Sequence, residues 1–144
     1  MPWFGQDLFE RAQAKGPLTD KVYLDARANA LRLAKDQGLD ATLKAQRLDA
    51  LVAPTTSSAW MIDPINGDHF SGAGYGVAAV AGTPSITVPM GDVHGLPVGI
   101  VFMGAAWSEA KLIGYAFGYE QATHARRPPT FAPSIKTPPR LDVR

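Results

Sequence analysis

Apolar residues recur at helical spacing through the first third of the chain. Phe4, Leu8 and Ala12 mark one segment; Val22, Ala26, Ala30 and Leu33, widened by Leu24 and Leu31, mark a second. Two amphipathic helices are predicted, separated by Gly16-Pro17, with Thr19 as the N-cap candidate of the second and Gly38 where a helix-ending residue belongs. Asp40 reads as the cap of a short third helix running to Gln46. Next, Leu48-Asp49-Ala50-Leu51-Val52-Ala53 has the composition of a strand, and Pro54 ends it.

From Thr55 to Ser71 the pattern dissolves into Thr, Ser, Asp, Asn, Gly and Pro, with Trp60, Met61, Ile62 and Phe70 embedded in it. Loops this long are uncommon in compact domains and often functional. Tyr75 to Ala81 is small and apolar, the pattern of a short buried helix closed by Gly82. Two β-branched runs follow, Ser85-Ile86-Thr87-Val88 and Val98-Gly99-Ile100-Val101-Phe102-Met103, with His94 in the turn of the hairpin they form. Ser108-Glu109 opens a last helix bearing Leu112, Ala116 and Tyr119 on one face and ending before Arg126, with Tyr115, Phe117 and Tyr119 expected in the core. The expected architecture is α/β, a partial mixed sheet of about three strands including the hairpin, flanked by helices. The crossover from the first strand to the second favours parallel pairing there. Val, Ile and Ala on both faces of the strands call for burial on both sides, more than these few helices supply.

Composition narrows the function classes. The chain has 144 residues, 46% hydrophobic and 19% charged, with a net charge of +1, and its Lys and Arg are spread along helical segments, so no nucleic acid or membrane surface is expected as partner. It has no cysteine, which removes disulfides, thiolate metal sites and a cysteine nucleophile. The opening MPWFGQDLFERAQAKG is interrupted by Gln6, Asp7, Glu10 and Arg11 and does not read as a signal peptide, and no apolar run is long enough to span a membrane. A cytoplasmic chain is expected as it stands, with a signal upstream of this sequence left open. Prolines crowd the stretch from Pro128 to Pro139, so residues 128–144 read as a Pro-rich tail and 1–127 as the folded part.

Candidate chemistry is sparse. Asp63, Asp68, His69 and Ser71 lie too close in sequence for a hydrolytic triad, whose members usually come from separate elements, although Asp68 and His69 are candidates for substrate contact. Gly72-Ala73-Gly74-Tyr75-Gly76 lacks the Lys-Ser/Thr of a phosphate loop and reads as a flexible entry into the short helix, whose amide N–H groups could meet an anion or carbonyl oxygen if they faced a cleft. Thr55-Thr56-Ser57-Ser58 offers hydroxyls at the carboxyl end of a strand without a nearby base, which suits turn and capping roles. His69, His94 and His124 have no ligand spacing, and no metal site is expected.

The order of Leu48-Asp49-Ala50-Leu51-Val52-Ala53-Pro54-Thr55, Ala81-Gly82-Thr83-Pro84-Ser85-Ile86-Thr87-Val88-Pro89-Met90-Gly91, and Gly95-Leu96-Pro97-Val98-Gly99-Ile100-Val101-Phe102-Met103-Gly104 with Glu109 resembles the carboxyl-terminal region of the amidase signature family. With Gly67-Asp68-His69-Phe70 and the amino-terminal helices, the chain looks most similar to bacterial peptide amidases. The resemblance implies a larger α/β enzyme that hydrolyses amide C–N bonds, with C-terminal amides of peptides as the substrates that the likeness to peptide amidases points to, by a Ser-Ser-Lys arrangement without a cofactor or metal. The segments that carry that arrangement in the family have no match here. None of Lys15, Lys21, Lys35, Lys44, Lys111 and Lys136 sits in the required context, and Ser57-Ser58 matches no catalytic position. The expectation is therefore a chain with no catalytic residue, inactive alone, that supplies scaffold and one wall of the substrate pocket: Trp60, Asp68, His69 and Phe70. Its expected partners are the amino-terminal half of the enzyme, or another copy through exposed apolar faces. The rival expectation is a free-standing, non-catalytic binding or assembly module derived from the same fold.

Overall fold

In a computed structural model, residues 5–63 and 65–130 are described, and the elements run α1 (Asp7–Gln13), α2 (Lys21–Leu31), a π-helical segment (Arg32–Leu39), α3 (Asp40–Gln46), β1 (Leu51–Pro54), α4 (Gly76–Ala81), β2 (Ser85–Val93), β3 (Leu96–Met103) and α5 (Glu109–Thr123). Phe4 and the tail from residue 131 onward lie outside the described residues.

The second and third predicted helices are one continuous helix from Lys21 to Gln46. Gly38 does not end it, and Asp40, with helical φ −64° and ψ −41°, does not cap it. Glycine at 38 serves another purpose. A Cβ there would stand 2.7 Å from the Leu33 carbonyl oxygen, so glycine admits the wider π turn. The side chains follow the five-residue spacing: Lys35 Nζ reaches Asp40 Oδ2 at 2.9 Å and Arg32 reaches Gln37 Oε1 at 2.6 Å. The helix stops at Arg47, whose left-handed φ of 53° lets the Leu48 N–H bond the Leu43 carbonyl at 2.8 Å. Strand pairing then begins at Leu51, three residues later than the pattern suggested.

The sheet has the order β1-β3-β2, and both pairings are antiparallel. The expected parallel pair is not formed. The crossover does bring β2 back in the direction of β1, but β3 turns into the slot between them, giving a split β-α-β arrangement. His94 (φ 53°) and Gly95 (φ 81°) form the tight turn that sends β3 back, both positive as a type I′ turn requires, and Asp92 Oδ1 accepts the Gly95 N–H at 2.9 Å. The register shifts between Pro89 and Gly91. The bulge sits on an edge strand, where a proline without an N–H is tolerated.

Period-two alternation sorts the strands onto two cores. Val101 and Met103, with Leu51 and Ala53, face Leu39, Leu43, Val77 and Ala78 of the long helix and α4. Ile100 and Phe102, with Ile86 and Val88, face Leu112, Ala116 and Tyr119 of α5, and Phe102 meets Tyr119 edge-on with centroids 6.0 Å apart. Several residues expected to be buried are not. Val22 is 83% exposed and Leu33 half exposed, and in α5 Tyr115 and Phe117 point outward. Their stripes are apolar, but nothing among the described residues covers them. Val52 is likewise exposed, because α5 lies over β2 and β3 and leaves that side of β1 open. No helix among the described residues is long and apolar enough to cross a membrane.

Candidate functional site

The loop singled out by its composition closes on itself at the carboxyl end of β1. At its entry the Thr55 N–H donates to the Gly99 carbonyl at 2.7 Å, extending the β1–β3 ladder by one residue, and Thr56 bridges Ala73. At its exit the Gly74 N–H donates to the carbonyls of Pro54 (3.2 Å) and Thr55 (3.0 Å). Position 74 must be glycine for this approach, since a Cβ would collide with the Pro54 carbonyl oxygen and stand 2.7 Å from the Ala53 Cβ. Stems this close define an Ω-type loop packed by its own side chains. The Gly72 to Gly76 run is therefore the loop's exit into α4, a helix of six residues.

Inside the loop Asp63 organises a turn. Its Oδ1 accepts the N–H groups of Ile65 and Asn66, both at 2.9 Å, and its Oδ2 accepts the Asn66 side-chain amide at 2.9 Å. These donors, the Asn66 N–H foremost, hold the Asp63 carboxyl below its ordinary 3.8. Gly67, at φ 82°, closes the turn and returns the chain toward Trp60. There the Phe70 ring meets the Trp60 ring with centroids 6.1 Å apart and planes inclined at 59°, and Asp68 Oδ1 accepts the Trp60 indole N–H at 3.3 Å.

Three of the four residues expected to form a wall, Trp60, Asp68 and Phe70, are thus gathered into one exposed cluster. His69 is not part of it. Its side chain is exposed, and it is its carbonyl that accepts the Ser71 hydroxyl at 3.4 Å. The Asp63, Asp68, His69 and Ser71 set does not converge either: Asp63 and the Ser71 hydroxyl are engaged in local turn bonds and Asp68 in the ring cluster, and among the described residues the His69 imidazole bonds none of them. Chemically, the arrangement offers two tilted rings with a carboxylate acceptor beside them. Among the described residues no hydrogen bond joins a Ser or Thr hydroxyl to a Lys or His side chain, and no group of three or more His, Asp or Glu is placed to hold a metal ion.

Away from the loop, a groove of about 570 Å³ lies between α3 and the start of α5. Lys44, Asp49, Trp107 and Lys111 line it, and Lys111 Nζ bonds Asp49 Oδ1 at 2.6 Å. That bond lowers the Asp49 pKa and raises that of Lys111. Trp107 is 92% exposed and left-handed at φ 64°. Residues 44, 49 and 107–111 belong to separate segments, so only folding juxtaposes them; the lone tryptophan among small residues was the available signal.

The amidase family profile matches residues 5–113. Among solved structures, peptide amidase from Stenotrophomonas maltophilia is 58% identical with a TM-score of 0.80, the match covering 90% of this chain and 26% of that one. A peptide amidase in complex with the competitive inhibitor chymostatin is 57% identical with a TM-score of 0.85, covering 91% of this chain and 27% of that one. An amidase family protein from Bacillus anthracis is 31% identical with a TM-score of 0.66, covering 88% of this chain and 22% of that one. The chain spans about a fifth of the length of the curated relatives it matches.

Proposed function

The chain belongs to the amidase signature family, and from that premise we propose that it is the carboxyl-terminal part of an amide hydrolase, supplying sheet strands and one wall of the substrate pocket. The observation that carries the reading is the Trp60, Asp68 and Phe70 cluster, held out from the carboxyl end of β1 by a loop with clamped stems. Carboxyl ends of strands are where α/β proteins gather working groups. A pair of tilted rings suits the apolar parts of a peptide, and Asp68 supplies an acceptor for an amide N–H. Likeness to a peptide amidase held by a competitive inhibitor favours C-terminal peptide amides as the substrate class.

The serine, bridging serine and lysine implied by the resemblance are, in this reading, carried by polypeptide beyond this chain, which is inert alone and works with that remainder as partner. Exposed Leu8, Phe9, Val22 and Leu33 support the partnership, because an adapted free-standing module would have covered or replaced such a surface. A serine-directed fluorophosphonate followed by intact-mass measurement tests it. Label is expected only on an added amino-terminal half. Labelling of this chain by itself overturns the assignment of the nucleophile elsewhere. For the wall, Trp60→Ala and Phe70→Ala in the full-length enzyme are expected to lower kcat/KM for peptide amides; unchanged values for every amide tried would remove the pocket role.

A further inference from the structure

We infer that Thr87, on the far edge strand of the sheet, is the positioning residue for the Trp60–Phe70 wall, acting through Thr55 across the notch left by Gly99. This inference rests on the pocket-wall reading above. The Thr87 hydroxyl donates to the Ile100 carbonyl at 3.0 Å, which uses its only proton. Its oxygen therefore accepts the proton of the Thr55 hydroxyl, 2.5 Å away. The two threonines lie on β2 and at the end of β1, with β3 between them, so their side chains can meet only over a residue that has none. Gly99 is that residue. A Cβ there would stand 2.8 Å from Thr87 Oγ1 and 2.9 Å from Thr55 Oγ1.

The clamp controls orientation because of where the loop's bonds lie. Among the described residues, the hydrogen bonds of 57–72 stay within 56–72: the Thr56 hydroxyl with the Ser57 carbonyl, Asp63 with Ile65, Asn66 and Gly67, Trp60 with Asp68, and Ser71 with the carbonyl of His69. The loop is therefore a small self-packed body tied to the sheet at its stems, by Thr55 on one side and Gly74 on the other. Freeing the Thr55 side chain lets that body swing about the remaining stem bonds, and the ring pair leaves the position in which a substrate would meet it.

The test combines hydrogen exchange with kinetics in a full-length enzyme carrying this chain, comparing Thr87→Val, Thr55→Val and Thr87→Ser. Both valine variants are expected to speed amide exchange across 57–72 by roughly three- to tenfold, the shift one hydrogen bond supports. Exchange in α5 should not change. KM for a peptide amide should rise by about the same factor with kcat within about twofold, and Thr87→Ser, which keeps the hydroxyl, should restore both. Unchanged exchange in both valine variants, or no recovery with serine, overturns the clamp. Should one valine variant fail to fold, the other reads the same bond from its opposite end. Trp60→Ala separates the two ideas. If it raises KM while Thr87→Val changes neither KM nor exchange, the wall stands and the clamp fails. If Thr87→Val speeds loop exchange while Trp60→Ala leaves KM unaltered, the clamp stands and the wall fails.

Discussion

Replacing Gly38 by alanine should destabilise the protein, although the same replacement two positions beyond Ala116 should stabilise it. In an ordinary exposed helix interior, Gly→Ala contributes about 0.8–1.0 kcal/mol of stability. Gly118 in α5 meets that condition: nothing lies within 4 Å of a Cβ built there. At Gly38 the Cβ would lie 2.7 Å from the Leu33 carbonyl oxygen, several tenths of an ångström inside the ~3.3 Å at which a carbon normally approaches a carbonyl oxygen. Backbone must move. Overpacking of this kind costs about 1–3 kcal/mol, which offsets and then exceeds the propensity gain. The alternative relaxation, collapse of the π segment to a regular α-helix, rotates everything on one side of it by roughly 100°. It also separates the five-residue pairs Lys35–Asp40 and Arg32–Gln37. A net loss of about 1 kcal/mol follows for Gly38→Ala, against a gain of about 0.9 kcal/mol for Gly118→Ala. Urea denaturation followed by circular dichroism, with an m-value of about 2 kcal/mol/M, should place the two midpoints on opposite sides of the parent, each by ~0.5 M. If Gly38→Ala raises the midpoint as Gly118→Ala does, the wide turn is not the solution structure and the reasoning fails.

Leu39→Ala, removing a side chain only 1% exposed beneath β3, should cost about 2–5 kcal/mol in the same assay. Trp107→Gly should stabilise the chain by about 1 kcal/mol, because a left-handed non-glycine residue is relieved and a 92% exposed side chain loses no packing; a lower midpoint would mean that Trp107 is packed in solution. The turn at Asp63 should respond to acid. Its carboxyl is held below 3.8 in the folded chain, so the turn is fully supported above that pH and its support is lost as pH falls through the depressed value. Protection of the Asn66 amide, taken as its exchange relative to the intrinsic rate at each pH, should therefore fall as pH drops below 3.8, and Asp63→Ala should remove that pH-dependent step. The exposed Asp49–Lys111 pair should behave weakly by comparison, and Lys111→Met should shift the urea midpoint less than any core substitution.

Local signals identified most of the elements. The proline and glycine punctuation around Ser85 to Gly104 marked a hairpin, and His94 fell in its turn, because a two-residue reversal needs positive φ whatever surrounds it. Leu112, Ala116 and Tyr119 identified the face of α5 that meets the sheet. The long loop was legible from composition, and so were the three residues that cluster in it. His69 was not separable from its neighbours, since adjacency in sequence says nothing about which way a side chain leaves a turn.

By itself, then, the sequence determined the kinds of element and the loop that carries the candidate site, which depend on residues within a few positions of one another, and the family, which depends on the order of short motifs from Leu48 to Glu109. Tertiary structure decided the rest. The sheet order was beyond any local pattern, because the crossover specifies only direction and the hairpin decides which strand occupies the slot. Gly38 carries the same glycine signal as a helix end, and only the Leu33 carbonyl five residues away makes it part of a π turn. Apolar stripes at Val22, Leu33 and Phe117 told of burial, but burial needs a partner surface, and none lies among the described residues. Thr55, Gly99 and Thr87 are ordinary residues on separate strands, and they become a clamp only where the pleat and register of the sheet bring two hydroxyls together over a missing side chain.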